Sequence, residues 1–172
     1  MSKPLPIVDE FLCVRCARHM ATCCQSSEVY TTPGDVQRIQ EHSGRSDFVQ
    51  FRAPEDPVYL QQDDDPIWTE KVFRSDGTRR ILKRKASGDC TFLGESGCEL
   101  PLETRPLICR IYPFDYAEDG LKVTLAGGCP THLLADGQHL LDALQIDRAD
   151  AVRWHAQLYK ELRLETNAQV DQ

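Results

Sequence analysis

Apolar positions recur at helical spacing in a few stretches of this chain and at two-residue spacing in others, with proline, glycine and aspartate marking the breaks. Thr32, Pro33 and Asp35 form a helix-start signature, a capping hydroxyl, a proline at the first turn and an acid three residues after the cap. With Gly44 as the stop, they predict a helix over 33–43 whose inward stripe is Val36 and Ile39. The run Val72, Phe73, Arg74, then Ser75-Asp76-Gly77, then 78–83 predicts a hairpin turning on Asp-Gly. Further on, a short helix is expected over 103–111, ended by Pro113, and a strand over 121–126 before Gly127-Gly128. A short helix over 138–145 precedes a longer amphipathic one from about Asp147, with Val152, His155, Ala156, Tyr159 and Leu162 spaced by three and four. Packing against the domain is the expected role of that last helix, and binding a partner is the other reading.

These elements predict an α+β fold, a small antiparallel sheet with short helices and a C-terminal amphipathic helix around a cysteine-rich metal centre. The expected core draws on Phe48, Phe51, Leu82, Phe92, Leu107, Ile111, Phe114, Val123, Leu125, Trp154 and Leu158. Residues 53–66, with three prolines and five acids, read as a solvated surface loop, and residues 166–172 as a frayed end. At 172 residues one domain is expected over 1–172, with a cysteine region over 11–130 and a helical segment over 137–165.

Composition narrows the function classes. Apolar residues at 41% and charged residues at 27% fit an ordinary globular protein, and a net charge of -7 disfavours nucleic-acid binding through phosphates. The basic run Arg79, Arg80, Lys83, Arg84 and Lys85 reads as a solvated face. The first residues lack a basic start followed by an apolar run, and no stretch approaches the length of a membrane span. A cytoplasmic location is expected, where thiols stay reduced.

That expectation decides how the eight cysteines are read. In a secreted chain they would suggest four disulfides with about 105 pairings; in a reducing compartment they point to metal or redox chemistry. Cys13, Cys16, Cys23 and Cys24 lie near the start, and Cys90, Cys98, Cys109 and Cys129 in the second half. A Cys-x-x-Cys turn lets two sulfurs converge on one ion, with backbone N–H groups close enough to bond the thiolates. The adjacent Cys23 and Cys24 diverge as neighbours do and so serve different ions or roles. The second set is spaced too irregularly for a zinc ribbon, so tertiary folding must assemble it. Cys129 precedes Pro130, a pairing also found in bacterial ferredoxin motifs.

Four thiolates around a divalent ion leave negative charge, which nearby cations offset. Arg15 and Arg18 interleave with the first set and Arg105 and Arg110 flank Cys109, with Glu103 or Asp115 as competing partners. His19 and His132 stand close enough in sequence to replace a thiolate. No nucleophile elbow, phosphate-binding glycine loop or nucleotide fingerprint is present, so any catalysis would run through a metal or a cysteine.

The ordered set of Phe11 with Cys13, Cys16, Cys23 and Cys24, Thr32 with Asp35, Cys90-Thr91-Phe92-Leu93, Cys98, Arg105-Pro106, Cys109-Arg110, Tyr112-Pro113-Phe114 and Cys129-Pro130 resembles the YkgJ-type cysteine-cluster family, described as a zinc- or iron-chelating domain. It departs from the family in the six residues between Cys16 and Cys23, where the usual spacing is tighter. The resemblance implies that all eight cysteines chelate zinc or iron, with an iron–sulfur cluster as one form of the latter. Flagellin lysine N-methylase is similar to this family, which keeps an iron–sulfur redox protein or enzyme as the alternative reading; a disulfide-linked chain is the third. Metal ions are the expected partners, a membrane is not, and no protein partner is indicated.

Overall fold

The helix over 33–43 forms where its caps dictate. In the computed structural model, which describes residues 28–57, 65–95, 97–112, 114–125, 134, 136, 137, 139–143 and 146–165, helix α1 spans Pro33–Ser43. Thr32 Oγ1 accepts the Asp35 N–H at 2.9 Å, and the Asp35 carboxylate accepts the Thr32 N–H at 3.0 Å, so two otherwise orphaned donors are satisfied reciprocally. Gly44 ends the helix at φ 69°, a left-handed conformation that glycine adopts without a Cβ penalty.

Strand β1 (Val49–Arg52) pairs antiparallel with β2 (Arg79–Leu82), placing Phe51 opposite Arg80. This corrects the expected hairpin. Val72 instead closes a helix, α2 (Pro66–Val72), which Asp65 caps by accepting the Trp68 N–H at 3.1 Å. The Asp-Gly turn exists, with Gly77 N–H bonded to Arg74 O at 2.9 Å, but it joins a helix to a strand. Asp65 and Pro66 are a start signal that the acid-rich loop reading absorbed.

Two more antiparallel pairs follow, β3 (Leu93–Gly94) with β4 (Gly97–Cys98), and β5 (Phe114–Ala117) with β6 (Gly120–Leu125). Between them the expected helix over 103–111 is broken into a 3-10 turn, Leu102–Thr104, and helix α3, Leu107–Ile111. Pro106 is the cause: it has no N–H to continue a helix and holds Arg105 extended at ψ 150°. Helix α4 (Leu140–Ala143) and helix α5 (Arg148–Arg163, capped by Asp147) complete the described elements. The architecture is α+β, as expected, with three two-stranded ladders among the described residues.

Two apolar clusters hold these elements. One gathers Tyr30, Val72, Leu107, Ile111 and Phe114 against Ala151, Trp154, Leu158, Tyr159 and Leu162 of α5. Each large side chain there is worth roughly 1.5–3 kcal/mol of burial. The other gathers Ile39, Phe48, Leu82, Cys90, Phe92, Leu93 and Leu100. Tyr159 and Leu162 of the expected α5 stripe point in, as do Trp154 and Leu158 of the expected core, but Val152 is half exposed and Ala156 exposed, and Ala151 turns inward instead. Phe51 also leaves the expected core at 44% exposure, lying under the Arg74 guanidinium at 3.9 Å. The side chains of Val123 and Leu125 lie outside the described residues. No helix among the described residues is long and apolar enough to cross a membrane.

Candidate metal centre

Cys90 and Cys98 come from two tight turns laid on the second cluster. A turn over 85–89, closed by Lys85 N–H to Asp89 O at 2.7 Å and by Gly88 at φ 94°, folds the chain back so that Cys90 bridges antiparallel to Arg84. Cys90 is 9% exposed. Its carbonyl accepts the Leu93 N–H at 2.9 Å, which starts β3 and brings half-buried Cys98 opposite Leu93. Gly97, at φ 102°, sets the direction of entry into Cys98.

Cys109 stands apart, half-buried on α3, whose Leu107 and Ile111 belong to the first cluster. The negative form of Cys109 is close enough to Tyr116 to help raise that phenol's pKa, after burial itself. Among the described residues no three of Cys, His, Asp and Glu converge as a metal site. Cys13, Cys16, Cys23, Cys24 and Cys129, with His19, His132, Arg15 and Arg18, lie outside the described residues.

What fixes α3, and with it Cys109, is a buried carboxylate. Asp35, fully buried, accepts the Leu107 N–H at 3.1 Å, the Thr32 N–H at 3.0 Å and Arg38 Nη2 at 2.6 Å. Burial pushes its pKa up, against the Thr32 and Arg38 bonds that pull it down. Arg38 passes the contact on to α5, donating from Nη1 to Glu161 Oε1 at 2.7 Å. Thr32 also donates its hydroxyl to Glu161, and Gln157 Nε2 does so at 3.1 Å. Burial raises the Glu161 pKa, but the bonds from Arg38, Thr32 and Gln157 outweigh it and leave the group lowered. The carboxylate lies so near α1 that a Cβ on Gly34 would be 2.5 Å from it.

Two further pins hold the same end of the chain. Tyr30 donates its hydroxyl to Glu165, which also takes Arg80 Nη2 at 2.6 Å, and Tyr159 donates to the capping carboxylate of Asp65. Sequence reasoning missed this polar framework apart from the Thr32–Asp35 cap. Nothing in the order of residues says that Asp35 reaches Leu107 or that Arg38 reaches Glu161. A groove of about 620 Å³ runs between α1 and α5, past Gln37, Glu41 and Lys160, and no cysteine lines it.

Of the arginines expected to serve the thiolates, Arg105 and Arg110 bond backbone carbonyls. Arg110, 2% exposed, gives Nε to Arg105 O at 2.8 Å and Nη2 to Glu103 O at 2.7 Å, stapling the 3-10 turn to α3. Arg105 Nε bonds Leu100 O at 2.9 Å. The basic run is a solvated face only in part: Lys83 and Lys85 are exposed, but Arg79, Arg80 and Arg84 are buried or half-buried. Arg79 is 6% exposed and pairs with Glu28 at 2.7 Å, and Arg80 pairs with Glu165. Arg84 keeps its Nη2 buried with no hydrogen-bond partner among the described residues.

Soft thiol donors suit zinc and iron, and a buried, unsatisfied guanidinium nitrogen on the strand facing Cys90 fits a neighbour that carries negative charge. A family model described as a putative zinc- or iron-chelating domain matches residues 12–130. No curated protein and no solved structure matches the chain.

Proposed function

The chain belongs to this CxxCxxCC family, and on that premise we propose that it is a cytoplasmic, single-domain protein that binds zinc or iron through Cys13, Cys16, Cys23, Cys24, Cys90, Cys98, Cys109 and Cys129. The observation that carries the reading is the family match over residues 12–130, within which all eight cysteines fall. Eight thiolates are enough for two four-ligand sites. The placement of Cys90 and Cys98 supports it: both sit where a turn reverses the chain against apolar side chains, Cys90 buried and Cys98 half-buried. Cys109 is presented by a helix whose start is fixed by a carboxylate 72 residues away in sequence. Once bound, an ion supplies a cross-link between segments distant in the chain and so contributes to folding.

The test is elemental analysis of gently purified full-length protein, with a visible spectrum taken under anaerobic conditions. We expect zinc or iron bound in a fixed ratio to protein, with Cys16→Ser lowering metal content and stability together. Unchanged metal content in that variant, or a wild-type protein whose denatured form lacks titratable thiols, would refute the reading. A brown protein with labile sulfide would place the metal in an iron–sulfur cluster.

A further inference from the structure

We infer that Arg84 is a positioning residue of the metal centre, its guanidinium donating to the Cys90 sulfur once that sulfur is metal-bound and negatively charged; this rests on the chelation reading above.

The inference starts from an imbalance. Arg84 Nη2 is buried and has no hydrogen-bond acceptor among the described residues. A buried donor left unmade costs about 1–3 kcal/mol, more when charged, and native proteins rarely tolerate it without a reason. The other arginines with an unsatisfied buried nitrogen have uses for the rest of the head: Arg38 binds Asp35 and Glu161, Arg79 binds Glu28, and Arg74 stacks on Phe51. Arg84 makes no ion pair among the described residues.

Geometry names the group it faces. Arg84 and Cys90 are directly opposed in an antiparallel bridge, so their side chains leave the same face with Cβ atoms about 4.5–5.5 Å apart. The bridge is held on both sides, by Lys85 N–H to Asp89 O at 2.7 Å and by Thr91 N–H to Lys83 O at 3.1 Å, so the two side chains cannot slip past each other. Cys90 sits at 9% exposure beside Phe92 and Leu93, where a thiolate has little water to bond. A residue whose donor lacks an acceptor among the described residues and a cysteine with little solvent are thus opposed across one bridge. An N–H bond to a metal-bound thiolate withdraws charge from the sulfur and fixes its direction, as partners of metal ligands do.

The test uses the full chain loaded with zinc, and separately with cobalt(II), comparing wild type with Arg84→Met, Arg84→Lys and the exposed control Lys83→Met. Zinc affinity is measured by competition with a chromophoric chelator. Arg84→Met should bind zinc about 10–100-fold more weakly at unchanged stoichiometry, with Arg84→Lys between it and the wild type and Lys83→Met unchanged. The thiolate-to-cobalt charge-transfer band should move to lower energy in Arg84→Met, because the sulfur has lost a donor; a role in folding alone would leave the band in place. Should Arg84→Met fail to fold, the band of Arg84→Lys carries the same test. Wild-type affinity with an unmoved band in the variants would overturn the inference and leave chelation standing. A wild-type chain that takes up neither zinc nor cobalt would overturn both.

Discussion

Asp35 is the residue on which the described framework turns, and replacing it with alanine gives the sharpest test of the packing argument. The change removes three contacts at once: the N–H groups of Thr32 and Leu107 lose their acceptor, and Arg38 keeps only Glu161. Each buried N–H left unsatisfied costs about 1–3 kcal/mol. Two such losses, together with about 1–2 kcal/mol for the weakened Arg38 pair, sum to roughly 3–8 kcal/mol if water cannot enter. Part is returned because the burial that raises the Asp35 pKa also opposes its charged form, and because the smaller side chain admits solvent. The expected net loss is about 3 kcal/mol, a fall of roughly 150-fold in the folding constant. For a chain of this size that lowers the melting temperature by about 6–12 °C. Urea unfolding at matched metal content measures it directly, with Asp47→Ala as the control, since Asp47 is exposed and paired with Arg45 at the surface. If Asp35→Ala stays within about 0.5 kcal/mol of wild type, a range usual for surface changes, the view of Asp35 as the anchor of α3 is wrong.

Gly34→Ala should destabilise by about 1–3 kcal/mol, because its Cβ would meet the Glu161 carboxylate at 2.5 Å and displace it from Arg38. Alanine's better helix propensity works the other way, so a stabilised variant in thermal melts would show that the close approach does not exist. For Glu161→Gln the expectation concerns pH. The folded pKa of Glu161 is lowered from the usual 4.5, so its contribution is fully present above that value and is lost as pH falls through the lower folded one. The stability gap between wild type and Glu161→Gln should therefore be widest near neutrality and close on acidification below about pH 4.5. A gap that widens there would contradict the assigned hydrogen bonds.

Local signals in the chain were dependable and distant ones were not. The Thr32–Asp35 cap, the Gly44 stop and the strand after Gly120 depend on neighbours a few residues apart, and they formed as the residue order predicts. The strand partner of β2 was misread because a short apolar run such as Val72-Phe73 suits a helix end or a strand equally well. The partner, residues 49–52, is identified only by pairing through space. The start of the α5 stripe is ambiguous for a similar reason: Val152 and Ala151 are both apolar, and only the packed neighbours decide which turns inward. At the candidate site the cysteine pattern named candidate donors, but not that Arg110 serves two carbonyls or that Arg84 is left without an acceptor among the described residues. Those facts belong to tertiary geometry, which one-dimensional spacing does not encode.

The pins at the end of α5 also set a timetable for folding. Tyr30 and Glu165 are 135 residues apart, and Thr32 and Glu161 are 129 apart. At a synthesis rate of about 5–20 residues per second, roughly 7–30 s pass between the appearance of Tyr30 and that of its carboxylate. Helix α1 can wind early, since its cap is local, but until α5 is made the Arg38 and Arg80 heads on the nascent chain lack Glu161 and Glu165, which lie 123 and 85 residues further on. Helix α5 is thus the latch of α1, and a nascent chain stalled before it carries open cationic sites that the folded molecule pairs with carboxylates.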